Sequence, residues 1–139
     1  MSDDALADDV WRAMAAVVFD NRDTWKRDVI ERSGLPFSRI RVLRRLAWRP
    51  MTAKEVAESA TMDAPAATVA VNDLEERGLV VREVNPANRR CKVISLTDAG
   101  RGVVAAIDGV EDPAPSAFEA LDVADLRALR DLLAKLRAH

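Results

Sequence analysis

Residues Met51–Gly100 read MTAKEVAESATMDAPAATVAVNDLEERGLVVREVNPANRRCKVISLTDAG. Thr52 with Glu55 three residues on forms a capping box. The hydroxyl accepts a backbone N–H of the first turn, and the carboxylate reaches back to the cap's own N–H. Val56 and Ala57 give this short helix its inner side, and Ala60-Thr61-Met62 reads as a turn. Asp63 caps a second helix, with Pro65 in the first turn, where a missing N–H costs nothing. Ala67, Ala70, Val71 and Leu74 recur as its inner stripe, leaving Pro65, Ala66, Thr68, Val69, Asn72 and Asp73 facing out. Gly78 supplies a left-handed stop. Leu79–Val84 and Cys91–Leu96 are strand-like, and Asn85-Pro86-Ala87-Asn88 between them is turn chemistry. Thr97 then caps a further helix. The pattern predicts a helix-turn-helix followed by a β-hairpin wing whose tip carries Arg89 and Arg90, within a mainly α chain of α+β class.

The flanking segments read as helices. A first helix is expected from about Asp4 to about Arg32, with Leu6, Val10, Met14, Val17, Val18, Trp25, Val29 and Ile30 at three- and four-residue spacing, ended by Gly34 and Pro36. The next runs near Pro36 to Trp48. It would bury Phe37, Ile40, Leu43 and Leu46–Ala47 and hold Arg39, Arg41, Arg44 and Arg45 on its other side. The helix capped by Thr97 should reach about Val110. Asp112-Pro113 and Pro115 interrupt the chain, a short helical piece follows near Ser116–Ala120, and Asp122 caps a final helix. In that helix Leu126, Leu129, Leu132, Leu133 and Leu136 make a leucine-rich stripe. The chain therefore divides into a single domain, 1–139, with a winged helix-turn-helix unit at 35–100 and dimerisation helices at 1–32 and 101–139.

Composition excludes several classes. The 139 residues, half of them apolar, suffice for one core. No apolar run approaches the roughly 20 residues of a membrane span. The acidic start, MSDDALADDV, lacks the order of a signal peptide, so a cytoplasmic location is expected. One cysteine, Cys91, and one histidine, His139, leave no basis for a disulfide or a His/Cys metal site, and no cofactor is expected. No P-loop, nucleophile elbow or triad pattern occurs, so an enzyme is not expected.

The net charge of −2 hides strong segregation. Residues 22–54 carry ten basic and three acidic side chains, residues 76–97 five and two, while residues 55–75 carry five acidic and no basic ones. A DNA-binding protein needs a basic face rather than a basic average. On charge alone the 22–54 cluster fits a solvated helix face equally well.

Four fragments together carry a resemblance. They are Thr-Ala-Lys-Glu-Val-Ala at 52–57, Leu-Glu-Glu-Arg-Gly-Leu-Val at 74–80, Asn-Arg-Arg at 88–90 and Leu-Thr-Asp-Ala-Gly at 96–100. In this order and spacing the chain resembles the MarR family of transcriptional regulators. The resemblance implies a homodimer that binds a palindromic operator on double-stranded DNA. It further implies a repressor that a small aromatic acid releases. Lys54 and the outward residues Pro65, Ala66, Thr68, Val69 and Asn72 would meet the major groove, with Asn72 able in principle to make paired hydrogen bonds to adenine. Arg89 and Arg90 of the wing would follow, Arg90 entering a minor groove whose narrowness enhances its negative potential.

Three departures from the family pattern stand out. Relatives often carry basic residues near the positions of Val69 and Asp73. Asn88 stands where the family places the aspartate that steadies the wing arginine through a charge-assisted pair. Phosphate neutralisation is then expected mainly from the wing, Lys54 and the arginines of the Pro36–Trp48 helix. Leu6, Val10, Leu126, Leu129, Leu133 and Leu136 would form the dimer interface. Trp11, Arg12, Met14 and Arg41 would line an effector crevice, the arginines suiting a carboxylate. Cys91, flanked by Arg90 and Lys92, reads as a small strand residue whose thiol those cations could make reactive. The alternative from another class is a winged-helix protein–protein interaction module without specific DNA binding, which the acidic 55–75 stretch favours.

Overall fold

A computed structural model describes residues 2–138; His139 lies outside them. The element order is α1 (Asp3–Asp20), α2 (Asp23–Ser33), α3 (Phe37–Leu46), α4 (Ala53–Ser59), α5 (Ala64–Glu76), β1 (Val80–Asn85), β2 (Asn88–Leu96), α6 (Asp98–Asp108), a 3-10 turn (Ser116–Ala120) and α7 (Val123–Arg137). This is the expected mainly α chain with one antiparallel hairpin.

The core lies where α3, α4, α5 and α6 meet the base of the hairpin. Ile40, Val42, Leu43 and Leu46 of α3 pack with Val56 of α4, Ala67, Ala70, Val71 and Leu74 of α5, and Val104 and Ile107 of α6. Small residues on α5 let it approach α3 and α4 closely, and full burial of each larger aliphatic side chain contributes about 1.5–3 kcal/mol. Phe37 is only half-buried and Ala47, beyond the last turn of α3, is exposed, so the inner face of that helix is narrower than its periodicity suggested.

The first helix is not continuous. It breaks at Asn21-Arg22, between α1 and α2. Asn21 leaves the helical region at φ −120°, and its side-chain amide donates to the Val17 carbonyl at 2.7 Å. That local bond satisfies a carbonyl that continuing the helix would otherwise have satisfied. Arg22 meanwhile is drawn to Asp112 in the linker after α6, and its guanidinium lies 3.8 Å from the centre of the Trp25 ring.

In the hairpin, Val80 faces Leu96 and the pairing runs evenly to Val84 opposite Lys92. The register then jumps, so that Asn85 faces Asn88 and Arg89, Arg90 and Cys91 bulge from the tip. β2 therefore begins three residues earlier than the apolar pattern indicated. β1 begins at Val80 rather than Leu79, whose N–H donates to Leu74 and belongs to the end of α5. Met51 adds a third rung that its sequence context did not reveal. It exchanges two backbone hydrogen bonds with Ile94, at 3.1 and 2.7 Å. α6 stops at Asp108 rather than Val110.

Among the described residues, neither α1 nor α7 contains a buried side chain. No helix among them is long and apolar enough to cross a membrane.

One glycine is dictated by close approach. A Cβ at Gly100 would lie 2.1 Å from the Leu79 carbonyl oxygen. Thr97 closes the same junction: its N–H donates to Leu79, and its hydroxyl donates to the Gly78 carbonyl at 2.7 Å while accepting the Gly100 N–H at 3.0 Å. Gly100→Ala must push α6 away from the strand start, at a cost of roughly 1–3 kcal/mol. Urea unfolding should show that loss, and an unchanged midpoint would contradict the close approach.

Candidate nucleic-acid interface

The presentation of α5 begins with its caps. Thr52 and Glu55 make the capping box of α4, at 3.2 and 3.1 Å. The Thr52 N–H, and after it Arg49, hold the Glu55 carboxyl below its ordinary range. After α4 ends at Ser59 the chain turns at Thr61, a branched residue held at φ +54°, with the Met62 N–H returning to the Ala57 carbonyl. Asp63 then accepts the Ala66 N–H at 2.7 Å. All four residues of the expected inner stripe of α5 are buried. Pro65, Ala66, Thr68, Val69 and Asn72 are exposed, Val69 by 58%. Lys54 is exposed on α4.

The arginines of α3 do not form a free basic face. Arg39 pairs with Asp73 of α5 at 2.9 Å. Arg41 donates to the Ala60 carbonyl and Arg45 to that of Ser59 at 2.9 Å. Arg44 lies over Trp25 and Arg45 over Trp48, at 5.2 and 4.6 Å from the ring centres. The last carbonyls of α4 lack intrahelical donors, and a guanidinium supplies them. These side chains thus fasten the turn between α4 and α5, and the expectation that they neutralise phosphate is corrected. Asp73 is corrected with them. It is not turned outward but lies between Arg39 and Arg77, its side chain 27% exposed. Hydrogen bonds from Arg39 first and Arg77 second lower its pKa.

A further brace joins the wing to α5. Arg82 of β1 donates to Glu75 at 2.6 Å and to the side-chain oxygen of Asn72 at 2.5 Å. With one lone pair of that oxygen engaged by Arg82, Asn72 is not the free amide that the expected paired contact to adenine assumed. Sequence reasoning missed Arg82. Its signal was a basic strand residue following a helix whose outer face carries Asn72 and Glu75, three residues apart.

At the wing tip, Asn85 accepts the Ala87 N–H at 3.0 Å, and Asn88 accepts the backbone N–H of Arg90 at 3.1 Å. Asn88 therefore shapes the backbone of the bulge instead of holding the Arg90 side chain, as the aspartate of the family pattern would. Arg89, Arg90 and Cys91 are exposed.

The four residues expected to line an effector crevice are not brought together. Trp11 and Arg12 stand exposed on α1, Met14 is half-buried there, and Arg41 is committed to Ala60 across the α3–α4 packing. A cavity between the α1–α2 junction and the linker after α6 is lined instead by Asp20, Asp23, Trp25, Asp28, Glu111 and Asp112, a wall that repels an acid. The expected interface residues Leu6 and Val10 are exposed on α1, and Leu126 and Leu136 on α7. Leu129 and Leu133 are half-buried along a trough shared with Phe118. Among the described residues no cluster of His, Cys, Asp or Glu is placed to hold a metal ion.

Comparison with known proteins points one way. The MarR family model matches residues 33–90, from the end of α2 to the wing tip. The chain is 30% identical over 86 residues to an uncharacterised HTH-type transcriptional regulator, YwhA, of Bacillus subtilis (strain 168). The match spans 61% of this chain and 62% of that protein, less than two thirds of its length. Its fold is similar to that of wild-type MarR from E. coli, with a TM-score of 0.71 at 18% identity, over 89% of this chain and 94% of that one. A probable transcriptional regulator from Pseudomonas aeruginosa is 25% identical, with a TM-score of 0.58, over 88% and 95% of the two chains.

The Asp73 brace generates a pH prediction. A carboxylate whose pKa is depressed by folding contributes stability above its unfolded pKa and loses it as pH falls through the folded value. Asp73→Asn should therefore unfold more readily than the wild type at neutral pH. The difference should shrink below about pH 4, where the unfolded carboxyl protonates. A difference constant from pH 7 to pH 3 in parallel urea titrations would remove the ion pairs from the account.

Proposed function

We propose that this chain is a MarR-family transcriptional regulator that binds a palindromic operator as a homodimer and represses by occupying it. The observation that carries this reading is the outer face of α5, whose Pro65, Ala66, Thr68 and Val69 are exposed, beside a wing tip that exposes Arg89 and Arg90. In that pose Ala66, Val69 and the Thr68 methyl pack on thymine methyls, and Asn72 meets a base edge. Lys54, Asn88 and Arg89 lie toward the sugar–phosphate backbone, and Arg90 enters the adjoining minor groove. With the α3 arginines engaged internally, the phosphate-neutralising charge is concentrated at the wing and Lys54.

Two copies would cover the apolar faces of α1 and α7, placing Leu6, Val10, Leu126, Leu129, Leu133 and Leu136 between them. They would set their α5 helices about one DNA turn apart, roughly 34–36 Å. A small aromatic effector would act by changing that spacing, which requires unequal affinity for the two arrangements. Trp11 and Met14, three residues apart on α1, with Arg12 beside them, remain the candidates for it in the dimer; Arg41 leaves the set. The setting is the cytoplasm, where the operator is.

Mobility-shift titrations test the DNA reading. Wild-type protein should bind duplex DNA with affinity falling linearly in log salt. Arg90→Ala should weaken binding roughly tenfold at fixed salt and lower the salt slope by about one. No shift of any duplex at low salt would put the protein-interaction module in its place. For the interface, Leu133→Asp should yield monomers by light scattering, since an unpaired carboxylate cannot be buried between apolar helices without a large penalty. A surviving dimer would move the interface elsewhere.

A further inference from the structure

We propose that Arg82 is a specificity-determining residue of the DNA contact. By holding the oxygen of the Asn72 side chain toward β1, it turns the amide NH₂ toward the base edge, so that Asn72 prefers guanine to adenine. This rests on the reading that α5 lies in the major groove.

The geometry is a three-membered brace. Arg82 reaches from β1 to α5, one guanidinium nitrogen on Glu75 at 2.6 Å and another on Asn72 at 2.5 Å. Its side chain is 23% exposed, far less than the wing-tip arginines, and Glu75 fixes the plane of its fork. A guanidinium carries donors and no acceptor. The atom of Asn72 that faces it is therefore the oxygen, whichever way the amide group is drawn. The amide NH₂ is then the end of Asn72 that Arg82 does not hold, on a residue that is exposed.

Base chemistry turns that orientation into a preference. Paired recognition of adenine needs one donor, for N7, and one acceptor, for the N6 amino group. The acceptor is the oxygen, one of whose two lone pairs Arg82 takes, fixing its direction. Guanine presents two adjacent acceptors, N7 and O6, and an NH₂ group with two hydrogens can serve both. Against adenine the same NH₂ would meet an amino group, donor against donor. The general association of asparagine with adenine is thus reversed by a strand residue that touches no base.

Selection from a pool of randomised duplexes, by the full chain, tests this. Wild type should enrich one base pair whose preference disappears in Asn72→Ala. At that pair guanine should exceed adenine about tenfold, the discrimination expected of a good side-chain–base contact. Arg82→Met frees the oxygen and should shift the pair toward adenine. Because that change also loosens the wing, Asn72→Asp is the second variant. It keeps an oxygen for Arg82 but presents no donor, and should turn the preference to a base that donates, cytosine or adenine. Adenine in the wild-type selection, guanine retained by Asn72→Asp, or no pair that depends on Asn72 would each overturn the proposal while leaving DNA binding intact. Enrichment of no duplex at all would overturn the DNA reading itself and this proposal with it.

Discussion

The Asp73 carboxylate lies between Arg39 of α3, at 2.9 Å, and Arg77 at the end of its own helix, at 3.1 Å. Through this carboxylate α3 is tied to α5, while Arg77 holds it from the end of the same helix. The pairs are partly open to water and each adds little to stability. The buried stripe of Ala67, Ala70, Val71 and Leu74 holds the helix far more strongly. Packing sets how α5 lies on the core, and the Arg39–Asp73 pair adds a directional polar tie between α5 and α3.

The same principle governs where the positive charge goes. Residues 22–54 hold ten basic side chains, and the fold spends several on its own framework. Arg41 and Arg45 close the carbonyl end of α4, Arg39 reaches Asp73, and Arg22 and Arg44 lie over Trp25. Each arrangement satisfies donors that would otherwise cost desolvation, and stacking over indole adds about 0.5–1 kcal/mol at such sites. On the proposed DNA contact the cations would stand at the wing and at Lys54, while α5 itself would contribute shape, methyl groups and the amide of Asn72.

The terminal helices present the opposite situation. α1 exposes Leu6, Val10, Trp11 and Phe19, the last by 75%, and α7 exposes Leu126, Leu132 and Leu136. The proposed homodimer would cover this area, which left in water forgoes roughly 25 cal/mol per Å². The break at Asn21-Arg22, with Arg22 tied to Asp112, sets the direction in which α1 leaves the core. α1 is thereby linked to the segment that leads into α7.

What the chain's order of residues determined is local. The caps at Thr52, Asp63 and Thr97 lie three or four residues from the backbone groups they serve, and the left-handed stop at Gly78 needs only its own φ. The buried stripe of α5 repeats with the helix period. Such signals are legible because cause and effect sit within one or two turns of chain. Tertiary structure decided everything that joins distant residues: Arg39 to Asp73 across 34 positions, Arg41 to Ala60 across 19, and Arg82 to Asn72 across 10. It also decided the rung between Met51 and Ile94 and the glycine requirement at Gly100. An arginine in a sequence is simply a charge with long reach; only packing shows which acceptor lies within that reach. Hence the unit that faces DNA could be read along the chain, but the allocation of its polar groups between framework and ligand required the fold.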